Sequence, residues 1–446
     1  MMLKSVVVIV LSIALYVVTR PRPPLSYENK EGNAPQLSMP IYYSHVGLAV
    51  VPETAEQHFD MLRRVFLMNL NEEGKINLPP PPKVTQYIPP VFQPVIMPVF
   101  HAVKRFLPTV LLSFLSRDPR DHHQIAVIHA RPEKVEYNEL HYYAFRVDSL
   151  ETLQRMMIML KEESTVTNVR AVNECDQLVL YVNDVNGDLI KVYMETGYHV
   201  TDFVQVAVDL NSKNVEQHVN QLCSKLSGFQ TKRAWLQSLK KQHPQLESLD
   251  KPSKFWAANH TNDPWQRNIS FSHISVKVHN LDGMVNFYSR VLGLIPVKYG
   301  YYGTQRFVHM ISSEYRPFEF IEDRPMSLLD LDFPVCNQFS FRIKSLKDLR
   351  EFQQHLSQEP VHSVTPISHG SCWAVYFCDP ENNRIEIFAD GENYVNQPVI
   401  EDFDLSKSDE ELHDIDVVTW QHHPSFQPNE EYHMKMAKKL HLTEKT

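Results

Sequence analysis

The chain has 446 residues and a formal net charge of −9, and 43% of its residues are hydrophobic. This length predicts two to four domains with a sizeable core, and the acidic balance without a long basic run argues against a nucleic-acid binder. The five cysteines form no CxxC pair, which favours reduced thiols over a disulfide framework.

Residues 1–24 contain an apolar run from Ser5 to Val18, and the run is followed by Arg-Pro-Arg-Pro-Pro. A spanning helix needs about 20 residues, and the prolines disfavour a cleavage site. We therefore predict a signal anchor, with a cleaved signal peptide and a peripheral or buried helix as alternatives. The basic residues after the run favour a membrane-anchored protein with a cytosolic body. The sequence also allows a location in a membrane of the secretory pathway.

The next segment, YYSHVGLAVVPETAEQHFDMLRRVF (42–66), has the pattern of a strand followed by an amphipathic helix. It places His45 in the strand. Residues 69–119 then form an apolar insertion whose prolines interrupt any spanning helix. Three interpretations stay open for this insertion: a lid over a neighbouring cavity, a membrane-surface segment, or additional core.

HYYAFRVDSLETLQRMMIML (141–160) and LYVNDVNGDLIKVYMETG (180–197) repeat the strand and helix pattern and add a closing strand. With the preceding segment they predict an N-terminal domain over residues 41–200. The charged, helix-prone residues 201–268 predict a connector. His122 and His123 are neighbours in a predicted strand and would face opposite ways, so we interpret them as ordinary surface or cavity histidines.

The clearest pattern lies in residues 269–391. SHISVKVHNLDGMVNFYSRVLGLIPV (272–297) begins with apolar residues at every second position, which predicts a strand. A spacing near four follows and predicts a helix that ends at Gly293. NQFSFRIKSLKDLREFQQHL (337–356) repeats the pattern, and WAVYFCDPENNRIEIFAD (373–390) closes it. Residues 392–446 predict an acidic tail with a short surface helix.

Each of the four copies reads as strand, helix and three strands, which we call a βαβββ module. The internal repeat predicts an α+β fold behind an N-terminal hydrophobic anchor. The four modules are expected to pair in chain order into two domains, residues 41–200 and 269–391.

Four polar side chains hold equivalent places in the last two modules: His273, Gln338, Glu319 and Glu386. If these modules wrap around one cavity, the four side chains converge there, and their donor atoms suit a divalent metal. The alternative is a set of lone polar residues at sheet edges. In the second module, Lys191 stands where Glu386 does and Tyr142 where Gln338 does. Since a protonated lysine is no ligand, the N-terminal domain is expected to be metal-free.

The motifs SHISVKVHNLDGMVNFYSRVLGL and YFCDPENNRIEIF resemble the opening and closing motifs of the vicinal oxygen chelate superfamily. This superfamily includes glyoxalase I, the fosfomycin and bleomycin resistance proteins and the type I extradiol dioxygenases. The resemblance implies paired βαβββ modules and a divalent metal that binds two neighbouring oxygens of a small-molecule substrate.

The extradiol dioxygenases have four modules and bind metal only in the C-terminal pair. There, two histidines and a carboxylate bind Fe(II), and His273 and Glu386 match the first histidine and the carboxylate. Gln338 stands where the second histidine is expected. Tyr376 and His369 match a tyrosine near the substrate and a loop histidine, which implies catalytic roles. A further histidine, expected late in the first module of the pair, is replaced near residues 316–317.

Similarity to glyoxalase I implies instead a zinc or nickel site that uses all four residues, His273, Glu319, Gln338 and Glu386. A third hypothesis is a non-catalytic binding protein, because the N-terminal copies have already lost ligands. We expect a divalent-metal enzyme resembling the extradiol dioxygenases, with the other two as alternatives. The sequence leaves the oligomeric state open.

Overall fold

The computed structural model describes residues 41–77, 109–118, 121–243, 269–312, 317–329, 331, 333–359 and 361–442. The predicted signal anchor, residues 1–24, lies outside these ranges, as does the centre of the predicted insertion. Within the described ranges, no helix is both long and apolar enough to cross a membrane.

The first half of the chain contains two modules and an extension. Module 1 comprises β1 (Tyr42–Val50), α1 (Ala55–Arg64), β2 (Asn69–Asn77), β3 (Thr109–Ser116) and β4 (Ile125–His129). Module 2 comprises β5 (Leu140–Val147), α2 (Leu150–Glu162), β6 (Thr167–Asn173), β7 (Gln177–Asn183) and β8 (Leu189–Glu195). The extension comprises β9 (Tyr198–His199), β10 (Val206–Ala207), α3 (Val215–Cys223), β11 (Gln230–Thr231) and α4 (Lys232–Gln242).

The second half repeats this plan. Module 3 comprises β12 (Ile269–Val278), α5 (Leu281–Val291), β13 (Ile295–Tyr302), β14 (Gln305–Ile311) and β15 (Pro317–Glu322). Module 4 comprises β16 (Cys336–Ile343), α6 (Leu346–Leu356), β17 (His362–Ser368), β18 (Cys372–Cys378) and β19 (Arg384–Asp390). Its extension comprises β20 (Asn393–Tyr394), β21 (Glu401–Asp402), α7 (Asp409–Trp420), β22 (Gln427–Pro428) and α8 (Asn429–Leu442).

Local chemistry explains where the module helices begin and end. The side chains of Ser149, Asn280 and Ser345 accept hydrogen bonds from backbone N–H groups in the first turns of α2, α5 and α6. Helix α5 ends just before Gly293, which adopts a φ of 66°. The predicted end of this helix therefore agrees with the structure.

The sheets do not pair the modules in chain order. Sheet A has the order β2-β3-β4-β1-β16-β19-β18-β17-β21 and joins module 1 to module 4. Sheet B has the order β10-β6-β7-β8-β5-β12-β15-β14-β13 and joins module 2 to module 3. The α+β modules agree with the prediction, but the pairing into domains 41–200 and 269–391 is wrong. Each opening strand has the same local pattern, so only long-range contacts select its partner.

Three further expectations need correction. First, both ends of the predicted insertion, 69–119, belong to module 1, because they form strands β2 and β3, which pair with each other. The polar sequence of β2, NLNEEGKIN, lacks the alternation that identifies a strand. Residues 392–442 form a packed extension that repeats the first one instead of a tail with one short helix. Cys175 and Cys223 form a disulfide, since an odd cysteine count does not exclude one long-range pair.

One hydrophobic core contains residues of all four modules. The ring centre of Tyr43 lies 6.4 Å from that of Phe271, 5.8 Å from Phe318 and 5.6 Å from Phe341. A buried carboxylate also joins the two sheets, because Tyr288 on α5 donates a hydrogen bond to Asp379 of module 4 at 2.9 Å. The other face of each sheet is left to line a cavity.

We expect the two halves of the chain, residues 41–243 and 269–446, to bind each other when they are produced as separate chains. Each half contains opening strands whose partner strands lie in the other half, and unpaired strand edges favour association. A tag on the first half should therefore recover the second half in a 1:1 ratio from a co-expression. Recovery of both halves as folded monomers that do not associate would contradict the cross-half pairing.

Candidate functional site

Equivalent β-bulges place one histidine in each sheet. The register shifts between Tyr43 and His45 where β1 pairs with β16, and it shifts in the same way before His273 where β12 pairs with β5. The preceding serine hydroxyl lies 3.2 Å from Nδ1 of His45 and 2.9 Å from Nδ1 of His273. The same local geometry therefore presents both imidazoles to the cavity side.

Sheet A bounds a cavity of about 140 Å³, which we call cavity A. Its lining includes six polar residues from both halves of the chain that lie close to one another: His45, His123, Gln338, His369, Tyr376 and Glu386. Aromatic rings form part of the wall, since Phe388 lies 5.4 Å from His45 and Phe114 lies 4.9 Å from His123 between ring centres. The extension of module 4 also contributes to the lining.

Glu386 is the centre of this polar group. Its Oε2 accepts hydrogen bonds from Ser340 at 2.6 Å and from the Gln338 amide at 3.1 Å. The Nε2 atom of His45 lies 3.1 Å from the same oxygen. The other carboxylate oxygen, Oε1, accepts a hydrogen bond from the Tyr376 hydroxyl at 2.6 Å.

His369 extends the network from Tyr376 to the backbone. Its Nδ1 lies 2.6 Å from the carbonyl oxygen of Val399, so this nitrogen is protonated and donates a hydrogen bond to that oxygen. Its Nε2 lies 3.0 Å from the Tyr376 hydroxyl and 3.5 Å from Oε1 of Glu386. The ring is thus oriented by the extension of module 4.

The ring of His123 packs against that of His45 at a tilted angle of 54°, with 4.0 Å between the ring centres. Its Nδ1 lies 2.9 Å from Nδ1 of His122, and Nε2 of His122 lies 3.1 Å from Glu72. Both histidines precede β4 instead of lying within it, so the alternation expected of strand residues does not apply. His122 and His123 accordingly both line cavity A.

The surroundings set the charge states of these groups. Burial alone would raise the pKa of Glu386, but the neighbouring His369 and His45 hold this pKa well below its usual range. Burial lowers the pKa of His123 well below its ordinary value, and the nearby His45 and His122 lower it further. Burial and the charge of Glu386 raise the pKa of Tyr376 well above its usual value. Cavity A therefore holds a carboxylate, a neutral imidazole and a protonated phenol.

Sheet B bounds a much smaller cavity of about 30 Å³, which we call cavity B. Lys191 on strand β8 of the same sheet is fully buried, and its Nζ lies 3.0 Å from Glu174, which lines cavity B. Its position matches that of Glu386, since β8 pairs Lys191 with Ala144 as β19 pairs Glu386 with Ser340. Three tyrosine rings lie within 6 Å of this ammonium group: Tyr142, Tyr181 and Tyr193. Side chains therefore fill the place that is open in cavity A.

Glu319 also belongs to sheet B. It accepts hydrogen bonds from Ser275 at 2.5 Å and from Tyr302 at 3.3 Å, and it contacts His309. Strand β15 pairs Glu319 with Ser275, and strand β4 pairs Ala126 with Gly47 in the same register. Cavity A accordingly has an alanine where sheet B has this glutamate.

The predicted group of four ligands is therefore divided between the two sheets. His273 and Glu319 lie in sheet B, whereas Gln338 and Glu386 lie in cavity A with both predicted catalytic residues, His369 and Tyr376. The expectation that His273 and Glu386 share one site is wrong, because modules 3 and 4 belong to different sheets. His45, which belongs to the domain predicted to be metal-free, lines cavity A with Glu386, and His273 does not. The repeated Ser-His pair reveals the equivalence of the two histidines but not their partners.

Three donors in cavity A fit a divalent metal: Nε2 of His45, the amide of Gln338 and the carboxylate of Glu386. The 3.1 Å between His45 Nε2 and Glu386 Oε2 suits two neighbouring ligands that each lie about 2 Å from one ion. His45 Nε2 is buried and makes no hydrogen bond of normal geometry within the described residues. Within the described residues, no group of three or more His, Cys, Asp or Glu is suited to a metal. The group in cavity A differs from such a group because its third donor is the amide of Gln338.

Residues 270–387 match the sequence model of the Glyoxalase/Bleomycin resistance protein/Dioxygenase superfamily. No curated protein matches the chain in sequence. Glyoxalase I from Zea mays is similar in structure over 78% of this chain and 92% of its own, with 7% identity and a TM-score of 0.41. A catechol 2,3-dioxygenase is similar over 81% of this chain and 92% of its own, with 13% identity and a TM-score of 0.26. These likenesses assign no reaction.

Replacing Glu386 by glutamine should lower the free energy of unfolding at pH 7 by about 3–5 kcal/mol, because removing the buried carboxylate leaves the groups that bond to it without a charged partner. Since the pKa of Glu386 is depressed in the folded protein, its contribution is present above the unfolded-state pKa of about 4.3 and is lost as the pH falls below that value. Urea unfolding at pH 7 and pH 3.5 should show the difference between wild type and variant shrinking. A difference that grows in acid would contradict this assignment, and exposed Glu133→Gln serves as the control.

Proposed function

Because the chain belongs, through residues 270–387, to the Glyoxalase/Bleomycin resistance protein/Dioxygenase superfamily, we propose that cavity A is the active site of a divalent-metal-dependent enzyme. Its substrate is a small molecule with two neighbouring oxygens. The observation that carries the proposal is the convergence of His45 and Gln338 on Oε2 of Glu386, each at 3.1 Å. Cavity B has a buried lysine at the corresponding carboxylate position and is not the site.

The residues around this centre support the oxygenase hypothesis. In this proposal, His45 and Glu386 correspond to the first histidine and the carboxylate that the extradiol resemblance implies, and Tyr376 and His369 lie 2.6 Å and 3.5 Å from Oε1 of Glu386. His123 lies three residues before Ala126, as residue 316 lies three before Glu319. His123 therefore stands where the resemblance expects a histidine late in the first module. Gln338 remains the one departure, with an amide in place of the second imidazole.

In this proposal, bound Fe(II) would supply positions for the two substrate oxygens and for dioxygen. The protein's own residues prepare the site. Tyr376 donates to Glu386 and fixes the orientation of the carboxylate. His123 is neutral at pH 7, and it is positioned to accept a proton from a substrate hydroxyl. The apolar rings of Phe114 and Phe388 form part of the wall around these groups.

The glyoxalase hypothesis has less support. That reaction scheme uses a second glutamate, and the position of Glu319 is occupied by Ala126 in cavity A. No carboxylate therefore stands at that position to move a substrate proton. A non-catalytic binding role has one observation in its favour: Glu386 already bonds to three neighbours, Ser340, Gln338 and Tyr376. These bonds stabilise the carboxylate without a metal.

Metal analysis tests the proposal. The chain reconstituted with Fe(II) should bind close to one equivalent of iron, and His45→Ala and Glu386→Ala should each lose most of it. His273→Ala is the matched control, because this histidine has the same local geometry in sheet B, and it should retain the iron. Oxygen uptake with catechols should then follow the iron content.

Other outcomes point elsewhere. Preferential retention of zinc or nickel at His45 and Glu386 would favour the lyase hypothesis. Absence of metal from the folded wild-type protein would favour the binding protein. Loss of metal in His273→Ala but not in His45→Ala would contradict the assignment of cavity A.

A further inference from the structure

Arg384 lies at the start of β19, two residues before Glu386 and on the same face of the strand. It lines cavity A and is half-buried. Its guanidinium carbon lies 4.4 Å from the centre of the Tyr376 ring. Because Tyr376 is itself bonded to Glu386, this stacking holds the guanidinium at a set place relative to the proposed metal ligands.

The other arginine of the cavity wall is neutralised by carboxylates. Arg342 lies 2.9 Å from Asp121 and 3.3 Å from Asp390. Arg384, in contrast, forms no ion pair and no side-chain hydrogen bond with any residue in the described ranges. The wall of cavity A therefore presents one guanidinium whose hydrogen-bonding groups are available to a ligand.

The fold does not require a cation at this position. In module 2 the equivalent residue is Leu189, which lies two before Lys191 as Arg384 lies two before Glu386. Leu189 packs against the apolar cluster of Tyr142 and Tyr181 in the filled sheet B. The same strand position thus takes an apolar side chain where no ligand space exists, and an arginine where the cavity is open.

A partly dehydrated guanidinium is best matched by a carboxylate, which accepts two parallel hydrogen bonds from its planar fork. Residues two apart on a strand lie about 7 Å apart, so one small molecule can reach both Arg384 and the region of Glu386. Aromatic rings of His45, Phe388 and Phe114 line the space beside that path. These features select a small, flat acid.

We infer that Arg384 binds the carboxylate of the substrate, and that the substrate is a small aromatic acid. Its vicinal oxygens lie at the opposite end, beside His45, Gln338 and Glu386. The placement of the oxygens rests on the proposed function. The binding of a carboxylate at Arg384 rests on the geometry of cavity A alone and can be measured without a metal or a reaction.

The test measures binding of phenylacetate and of neutral benzyl alcohol to the full chain by calorimetry, with a chelator present. Arg384→Met should weaken phenylacetate binding by about tenfold to a hundredfold and leave benzyl alcohol binding unchanged. Arg384→Lys should fall between the two, because it keeps the charge but loses the fork. Arg170→Met is the matched control: Arg170 lies 4.5 Å over the Tyr181 ring in sheet B, and its loss should change neither ligand.

Equal phenylacetate binding by wild type and Arg384→Met would overturn the inference, as would absence of binding to the folded wild-type protein. Inorganic phosphate is the competing anion: if it binds through Arg384 more tightly than phenylacetate does, the ligand is a phosphate and the carboxylate assignment falls. A wild-type protein that binds no metal but binds phenylacetate through Arg384 would reject the proposed metal enzyme while supporting this inference.

Discussion

The antiparallel pairing of opening strands across the two halves, β1 with β16 and β5 with β12, is the constraint on which the site depends. In sheet A this ladder sets His45 opposite Ser340 and Gly47 opposite Gln338. Since Ser340 also pairs with Glu386 on the next strand, one continuous register brings together three potential ligands from distant parts of the chain. Pairing in chain order, β1 with β5 and β12 with β16, would instead have placed His45 beside Lys191 and His273 beside Glu386.

The two sheets show how few side chains separate an open site from a filled one. Both have the same bulge, the same Ser-His pair and the same strand order around the opening strands. In sheet B, Lys191 replaces the carboxylate and neutralises Glu174, and the surrounding tyrosines occupy the remaining volume. In sheet A, Glu386 and Gln338 leave a cavity about 140 Å³ in volume. A buried lysine needs a partner for its charge. Having Lys191 where sheet A has Glu386 therefore removes a potential metal ligand, and the side chains around Lys191 fill the space beside it.

Cavity A is also preorganised. The charge of Glu386 is stabilised by hydrogen bonds from Ser340, Gln338 and Tyr376, and Val399 in the extension of module 4 orients the nearby His369. These hydrogen bonds hold the carboxylate and the imidazole in one orientation before any ligand binds. The extension thus belongs to the site, although its acidic sequence and short helices resemble a solvated tail. Its role becomes visible only when residues 393–442 are packed against module 4.

The sequence by itself determined the modules and the resemblance of residues 270–387 to one superfamily, because strand alternation, helix spacing and turn motifs are local signals carried by adjacent residues. It also identified Gln338, Glu386, Tyr376 and His369, which lie together in one cavity. It did not determine that His45 joins them and that His273 and Glu319 do not. The four opening strands share one pattern, so local signals cannot rank their partners. Only the tertiary structure decided this, since the choice depends on burying one common core around Tyr43, Phe271, Phe318 and Phe341.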